Sequence, residues 1–518
     1  MANKNLFRSL FGALLGKAPA SNEAGGPAYV RTNEQLLAQF AATGCLRDTY
    51  YTDAAKQLQE LTGAAFGADP LFVAKTAVFA REQGLMKDTP ALLCAVLAFR
   101  NTALLARVFD RVCDNGKMVR NFVQIVRSGQ IGRKSLGTAP KRLVQRWLAK
   151  CSDAQLLSAS VGQAPSLADV VKMVHPKPAD GARRAFYGWL LGKTHDAAAL
   201  PEAVKQLEAF RAGETASVPD VPFQLLTSEN LGRAHWIAIA RNASWNTVRM
   251  NLNTFHRHGV FDDHAATEHV VTTLRDREAI QRGHAFPYQI MTTLKHLDVD
   301  VPRAIRASLH DALEASVDRV PHLPGKVYVA VDVSSSMQSP VTGSSRGNTS
   351  VVKCLDVAAL FAAAILRQNP SAELIPFHDR VVPFAADATD PVFRTAERLA
   401  ALPSGGTDCS RVLAHLNACK ARGDFVIYVS DDQSWCGTRG VGGSTGMLTE
   451  WRRFKVANRE AKLVCIDLQP YATVQALEGG DVLHVGGFSD QVFEVLRAVA
   501  EGGLAPDRWV DRIAEIAV

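Results

Sequence analysis

The chain has 518 residues, of which 47% are apolar, so it can form two or three domains with sizeable buried cores. Its nine cysteines include no Cys-x-x-Cys pair, which argues against a disulfide framework or a zinc site and favours a reducing, cytoplasmic compartment. The formal net charge is +7, and no apolar run approaches the length of a membrane span, so we expect no membrane partner.

Residues 1–28 are predicted to be an N-terminal extension. The apolar residues of its first half fall on one helical face, with Arg8 and Lys17 flanking them and no acidic residue before Glu23. This pattern allows a targeting peptide, but the apolar stretch is short for a secretory signal and the segment holds little Ser or Arg. We therefore favour a helix that docks on the protein's own surface.

Residues 29–320 are predicted to be all helical. Apolar residues recur there at helical spacing, for example from Leu104 to Val112 and from Met118 to Val126. About 290 residues of consecutive helices with short connections exceed a simple bundle, so a stacked helical-repeat architecture of the HEAT type is expected. The sequence shows no clear repeat period, and the repeat is inferred from helix content alone.

Two acid-free basic windows lie within this helical region. Residues 321–518 contain 19 basic and 22 acidic residues, so residues 1–320 contain the remaining 39 and 29, a net charge of +10. The first window, 117–150, contains nine basic residues, and the second, 230–261, contains arginines, histidines and asparagines. Clustered basic residues without compensating acids are typical of a polyanion-binding protein, although a solvated helix face is the alternative.

From Gly325 onward, short apolar strands alternate with helices, which predicts a parallel α/β sheet. The predicted strands are Lys326–Val333, Ala372–Phe377, Phe425–Ser430, Ala461–Leu468 and Val482–Val485. The predicted helices are Val351–Leu366, Pro391–Leu402, Ser410–Arg422, Thr449–Glu460 and Gln491–Glu501. Ligands of such sheets bind at the carboxyl ends of the strands.

A set of oxygen ligands follows these strand ends. In the tract from Val329 to Met337, acidic and hydroxyl side chains spaced by two can converge while Ser335 points away. A Gly-Gly-Thr loop and a second strand that ends in an acid add two further oxygens. Oxygen ligands suit a hard divalent cation, and Mg²⁺ is the one we expect. The predicted metal ligands are Asp332, Ser334, Ser336, Thr407 and Asp431.

This pattern resembles the metal-ion-dependent adhesion site of von Willebrand A-like (vWA) domains. The whole chain after residue 28 resembles bacterial relatives of the Ro autoantigen, in which a TROVE module precedes such a domain. The motifs that carry this resemblance are Phe40-Ala-Ala-Thr-Gly, Thr49-Tyr-Tyr51, Gly129-Gln-Ile-Gly-Arg-Lys134, His175-Pro-Lys-Pro178, Arg282-Gly-His-Ala-Phe-Pro287 and Pro403-Ser-Gly-Gly-Thr-Asp-Cys-Ser410.

The resemblance implies a TROVE ring of HEAT-like helices over 29–320 and a vWA domain over 321–518. It also implies binding of single-stranded 3′ ends of misfolded or unprocessed non-coding RNA in the ring and of small Y-like RNA on an outer basic surface. An exoribonuclease partner and a monomeric state are further expectations. From the motifs and the basic windows, the predicted RNA-binding residues are Lys117, Arg120, Arg133, Lys134, Lys141, Arg142, His175, Lys177, Arg233 and Arg241.

We expect a non-catalytic binding protein, because the chain has no nucleotide-binding loop, zinc-protease motif or nuclease-like carboxylate cluster. Cys409 lies near the metal loop, but no motif ties a histidine to it. Two alternatives stay open. One is a protein-interaction adaptor that uses the metal site on a helical scaffold, and the other is a subunit of an ATP-driven remodelling machine.

Overall fold

The computed structural model describes residues 18–43, 46–132, 134–283, 286–342, 352–434, 444–469, 471–487, 491–501 and 508–518. The predicted N-terminal docking helix and most of the Gly/Ser-rich loops near 341–349 and 437–446 lie outside these residues. The chain forms two compact units. The α/β unit comprises Met1–Ala68, Ala285–Lys295 and His310–Ile516, and the helical unit comprises Asp69–His284, His296–Leu309 and Ala517–Val518.

Up to residue 320 the described elements are almost entirely helical. The α-helices are α1 (Asn33–Thr43), α2 (Ala54–Gly67), α3 (Pro70–Glu82), α4 (Asp88–Arg100), α5 (Thr102–Val112), α6 (Gly116–Arg127), α7 (Thr138–Lys150), α8 (Asp153–Ser160), α9 (Leu167–Val174), α10 (Gly181–Leu190), α11 (Glu202–Arg211), α12 (Arg233–Asn242), α13 (Trp245–Met250), α14 (Leu252–Arg257), α15 (His264–Arg275), α16 (Arg277–Arg282), α17 (Pro287–His296) and α18 (Arg303–Ser316). Single-turn 3₁₀ helices lie at Phe223–Leu225 and Val260–Asp262.

Side-chain caps and apolar faces explain where these helices begin and what they bury. At the start of α8, Ser152 and Gln155 form a reciprocal capping box that satisfies otherwise free backbone N–H groups. Helices α5 and α6 bury the apolar faces predicted from their spacing, and the rings of Phe109 and Phe122 meet edge to face with centroids 5.2 Å apart. The predicted helical character of this region is confirmed.

The α/β unit is built on a five-stranded parallel sheet. Its strands are β3 (Val327–Asp332), β4 (Glu373–Phe377), β5 (Phe425–Ser430), β6 (Lys462–Asp467) and β8 (Val482–Gly486), in the order β4-β3-β5-β6-β8. Its helices are α19 (Cys354–Gln368), α20 (Val392–Ala400), α21 (Ser410–Ala418), α22 (Gly446–Ala457), α23 (Gln491–Ala500) and α24 (Arg508–Ala514). Strands β3 and β5 are buried throughout, as expected for a sheet with both faces covered.

A second, small sheet joins the N-terminal segment to the C-terminal part of the chain. It consists of β1 (Ala20–Ser21), β2 (Pro27–Val30) and β7 (Thr473–Val474), and β2 pairs antiparallel with β7. The sequence pattern did not predict these strands. As a result, the compact units divide the chain differently from the predicted boundaries at residues 28 and 320, because residues 1–68 group with the α/β unit.

The predicted fold class, an α-helical region followed by an α/β domain, is confirmed. Among the described residues, no helix combines the length and apolarity needed to cross a bilayer.

Candidate functional site

The carboxyl ends of β3 and β5 bring two acidic side chains together. The strands are parallel neighbours, with Val331 aligned with Val429, so Asp332 and Asp431 follow the aligned residues by one and two positions at the same edge. Strand β4 lies on one side of β3 and β5 lies on the other, so the strand order reverses at β3. Parallel α/β sheets bind ligands at the carboxyl ends of the strands where such a reversal occurs.

The loop after β3 directs its polar side chains inward. The Asp332 carboxylate accepts hydrogen bonds from the Ser334 backbone N–H (2.8 Å) and from the Ser430 hydroxyl (2.6 Å). The Ser334 and Ser336 hydroxyl oxygens lie 3.2 Å apart, and the Ser336 hydroxyl also hydrogen-bonds the Asp431 carboxylate. The Ser335 N–H and hydroxyl both donate to the Gly405 carbonyl at 3.0 Å.

The glycine loop brings the fifth predicted ligand, Thr407, to this edge. A Cβ on Gly405 would lie 2.6 Å from Nδ1 of His378, so only glycine permits this close approach. The Asp408 N–H donates to the His378 carbonyl at 3.0 Å and fixes the end of the loop. Thr407 is almost completely buried and lines a cavity of about 160 Å³ with Ser335 and Ser336.

The acids of this edge differ from their buried neighbours in how their charge is balanced. Within the described part of the chain, neither Asp332 nor Asp431 has an ion pair with a lysine or arginine. Asp408, by contrast, forms an ion pair with Arg411 at 2.7 Å. Burial raises the pKa of Asp332, and burial together with the Asp332 charge raises the pKa of Asp431 to about 8.

These observations fit a divalent cation. Two buried acidic groups without a lysine or arginine partner among the described residues and three hydroxyls form an all-oxygen donor set, which is what Mg²⁺ and Ca²⁺ prefer. A bound cation would offset the repulsion that raises the Asp431 pKa. The structure therefore brings together four of the five predicted ligands directly, through the contacts among Asp332, Ser334, Ser336 and Asp431, and places Thr407 on the same cavity.

A second acidic cluster lies behind this edge, and sequence reasoning missed it. Asp432, Asp467 and His484 are buried with their ligand atoms within 4.8 Å of one another. His484 Nδ1 lies 3.0 Å from the Asp467 carboxylate, while Nε2 lies 2.9 Å from the Ala476 carbonyl oxygen. Arg31 also pairs with Asp467 at 2.5 Å.

This cluster carries its own positive charges. Burial lowers the pKa of the His484 imidazole, but the charge and hydrogen bond of Asp467, with Asp432, outweigh burial and raise it to about 9. The imidazolium and the Arg31 guanidinium together balance two carboxylates, and both ring nitrogens already face acceptors. We therefore interpret the cluster as an internal salt-bridge network rather than a cation site.

The N-terminal segment contributes residues to the metal-site cavity that sequence reasoning also missed. Tyr50 and Tyr51 line the cavity opposite the serine and glycine loops, and the Tyr51 hydroxyl is hydrogen-bonded to Ser336. Burial and the nearby Asp431 charge raise the pKa of the Tyr51 hydroxyl, so the phenol stays neutral. The motif Thr49-Tyr-Tyr51 was the available signal, but nothing in its spacing linked it to residues more than 280 positions later.

The predicted RNA-binding residues of the first basic window differ in accessibility. Lys117, Lys134 and Arg142 are exposed and Lys141 is partly exposed. Arg120 is different, because only 9% of it is exposed and its guanidinium donates to the carbonyls of residues 159, 161 and 162. Arg120 is therefore a structural residue and not an available phosphate ligand. The predicted residue Arg133 lies outside the described residues.

The His-Pro-Lys-Pro motif meets the first basic window. His175 ends α9 in a left-handed conformation, and its carbonyl and that of Val174 accept hydrogen bonds from the Gln145 side chain of α7. His175 and Lys177 are both exposed. The structure thus brings His175 next to the helix that carries Lys141 and Arg142.

Arg233 and Arg241 of the second window are exposed, but each faces an acid. Arg233 lies 4.0 Å from Asp262, and Arg241 lies 3.9 Å from Asp263. The acids follow the acid-free window directly in sequence. These two arginines are therefore weaker candidates for phosphate contacts than the unpaired residues of the first window.

The sheet order and the oxygen cluster at its switch point define a von Willebrand A-like domain. Residues 326–500 match the family model described as the Ro60 vWA domain. Among solved structures, the chain is similar to the crystal structure of the Deinococcus radiodurans RO (RSR) protein, with 19% sequence identity and a TM-score of 0.63 over 91% of this chain and 100% of that one. The predicted resemblance is confirmed at this level: residues 326–500 resemble the Ro60 vWA domain, and the chain has the fold of that RO (RSR) structure.

Proposed function

We propose that the chain is a non-catalytic RNA-binding protein that holds single-stranded 3′ ends of misfolded or unprocessed non-coding RNA and small Y-like RNA. The helical unit would bind the RNA, and the vWA domain would bind Mg²⁺ and, through it, a protein partner such as an exoribonuclease. The observation that carries this proposal is the group of unpaired basic side chains on and around α7, beside His175.

The state of the basic side chains supports phosphate binding. Among the described residues, Lys117, Lys134, Lys141, Arg142 and Lys177 form no ion pair. Elsewhere on α7, Arg146 and Lys150 both pair with Asp110. Unpaired cations bind phosphates without first losing a protein partner, and phosphate contacts suit a protein that accepts many RNA sequences.

A second candidate function is a metal-dependent protein-interaction adaptor. The uncompensated Asp332 and Asp431 favour it, because a cation held there keeps part of its coordination shell for an outside ligand. In that case the helical unit would be a scaffold, and RNA affinity would be weak at all salt concentrations. Neither candidate requires a catalytic residue in the described site.

RNA affinity across a salt series distinguishes the two functions. The ligands are a structured RNA with a single-stranded 3′ tail and the same RNA without it. We expect steeply salt-dependent, tail-dependent binding by the wild type. The Lys141→Ala/Arg142→Ala variant should reduce the slope of log affinity against log salt by about one unit per lost phosphate contact.

The matched control changes two other basic residues of the same helix. Because Arg146 and Lys150 are held by Asp110, the Arg146→Ala/Lys150→Ala variant should leave the salt slope nearly unchanged. Weak wild-type binding without a tail preference would contradict RNA binding and favour the adaptor. Equal slope losses in the two variants would show that only overall charge matters.

A further inference from the structure

Two tyrosines of the N-terminal segment form one wall of the metal-site cavity. Tyr50 and Tyr51 face Ser336, Gly406 and Thr407 across about 160 Å³ of space. The tyrosines therefore do not fill the site, and they leave room for a small group between their rings and the metal loops. A cavity of this size suits the tip of one side chain and is well below the 300 Å³ typical of pockets for larger ligands.

Tyr51 is held in place by its neighbours. Its ring packs edge to face against Tyr50 and Tyr471, with centroids 4.7 Å and 5.9 Å away. The Tyr471 hydroxyl hydrogen-bonds the Thr49 hydroxyl at 3.3 Å, and Thr49 N–H closes a turn on the Thr52 carbonyl at 2.8 Å. A phenol fixed in this way loses little conformational entropy when it binds a ligand.

The hydrogen bond of the Tyr51 hydroxyl can change partner when a cation binds. The Ser336 hydroxyl is hydrogen-bonded to both the Tyr51 hydroxyl and the Asp431 carboxyl group. Ser336 has a single hydroxyl proton, so when it donates to Asp431 its oxygen can accept the Tyr51 proton. A cation at Ser336 would compete for the same oxygen lone pairs, and the Tyr51 O–H would then be free to donate elsewhere. A carboxylate that binds a cation through one oxygen has a second oxygen that requires such a donor.

We propose that Tyr51 recognises the acidic side chain of a protein partner by donating a hydrogen bond to the carboxylate that completes the cation's coordination. This inference rests on the proposed metal site. A carboxylate is favoured over an RNA phosphate because the cavity is small and because residues 321–518 carry a net charge of −3, which repels a polyanion.

The test uses the full-length protein with Mn²⁺ and two short blocked peptides, Gly-Asp-Gly and its isostere Gly-Asn-Gly. Mn²⁺ affinity is measured by electron paramagnetic resonance, and peptide affinity by calorimetry with and without Mn²⁺. We expect the wild type to bind the Asp peptide only with Mn²⁺ and to discriminate against the Asn peptide. Tyr51→Phe should weaken Asp-peptide binding by about ten-fold or more, the usual effect of losing a hydrogen bond to a charged group.

The same change should alter Mn²⁺ affinity by no more than about two-fold, because the phenol is not a predicted cation ligand. Tyr50→Phe is the matched control, since Tyr50 lines the same cavity but is 54% exposed, and it should bind the Asp peptide as the wild type does. Equal melting temperatures of the three proteins establish that they are folded.

Four results overturn the inference. The first two are an Asp-peptide affinity of Tyr51→Phe that is unchanged, or one that is tighter, which would mean that Tyr51 obstructs binding. The third is displacement of the peptide by a single-stranded oligonucleotide. The fourth is a loss of Asp-peptide affinity in Tyr50→Phe that equals the loss in Tyr51→Phe. A wild type that binds no Mn²⁺ overturns the metal site and this inference together. RNA binding in the salt series is unaffected by any of these results, so the two proposals fail separately.

Discussion

Two consecutive aspartates at the end of β5 have different tasks. Asp431 contacts Ser336 at the metal-site edge, whereas the Asp432 carboxylate accepts the Gln475 N–H at 3.0 Å and lies 3.9 Å from His484. Asp432 has a φ of +58°, a left-handed conformation that directs the two neighbouring carboxylates to different partners. The oxygen cluster around Asp332 and Asp431 and the internal salt-bridge network of Asp432, Asp467 and His484 therefore meet at two consecutive residues of the chain.

The charge of His484 predicts a pH-dependent stability. Its imidazole faces Asp467, Asp432, Arg31 and Glu478, and its pKa of about 9 lies above the unfolded value of 6.5. A raised pKa contributes stability that is fully present below pH 6.5 and is lost as the pH rises through 9. Urea unfolding at pH 6.5 and at pH 9.5 should show that the free energy of unfolding by which the wild type exceeds His484→Gln falls by about 3 kcal/mol between them.

If the difference in free energy of unfolding between wild type and His484→Gln is the same at pH 6.5 and pH 9.5, His484 is not charged in the folded protein. Exposed groups titrate in both proteins and cancel in the comparison, so the difference isolates the network.

At the residue scale, spacing predicted which oxygen-bearing side chains converge at the sheet edge but not what surrounds them. Asp332, Ser334 and Ser336 are two positions apart after one strand, and strand order places Asp431 beside them. Arg31 and Asp467 are 436 positions apart, and no local pattern connects them. Arg120 belonged to a basic window by sequence, yet its burial depends on carbonyls some 40 positions later.

At the element scale, the N-terminal segment is attached to the α/β domain by several independent contacts. Strand β2 pairs with β7, the Arg31 N–H donates to the Ala472 carbonyl at 3.0 Å, and the Asn22 side chain donates to the Ser434 carbonyl at 2.7 Å. The segment therefore belongs to the same compact unit as the α/β sheet.

The Arg31–Asp467 ion pair should dominate this attachment. Both side chains are at most 5% exposed, so Arg31→Met leaves Asp467 with only His484 to balance it. Removing one partner of a buried pair costs about 3–5 kcal/mol of the free energy of unfolding. Urea unfolding followed by near-ultraviolet circular dichroism measures this loss.

Lys56→Met supplies the control within the same segment. Lys56 pairs with Glu23 at 2.5 Å, but the lysine is 45% exposed, so its loss should cost less than about 1 kcal/mol. Similar losses for the two variants would contradict the central position of Arg31.

The sheet of the vWA domain was predictable because its strands are long, apolar and separated by helices. Each of the five predicted strands overlaps an observed one, with ends that differ by no more than two residues. Strands β1, β2 and β7 contain two to four residues each, and β2 pairs with β7 across more than 440 positions, so they give no periodic signal. The grouping of residues 1–68 with the α/β unit gave no sequence signal for the same reason.

At the scale of the whole molecule, charge separates two ligand classes. Residues 1–320 carry a net charge of +10 and residues 321–518 a net charge of −3, so a polyanion and a cation would be attracted to different parts of the chain. Removing the cation should therefore change the vWA domain and leave RNA affinity in the salt series unchanged, provided that ionic strength is held constant.

Mg²⁺ should stabilise the wild type, because the cation binds the folded site and not the unfolded chain. At a Mg²⁺ concentration 100 times the dissociation constant, the free energy of unfolding should be about 2.7 kcal/mol higher than in the presence of a chelator.

Asp431→Asn should abolish this increase. In the chelator the variant should be more stable than the wild type, since it removes a carboxylate that Asp332 repels. Asp481→Asn, which removes a carboxylate already paired with Arg452 and Lys455, should keep the full response to Mg²⁺. A wild type with the same stability in Mg²⁺ and in chelator would mean that Asp332 and Asp431 share a proton instead of a cation, as the raised pKa of Asp431 allows.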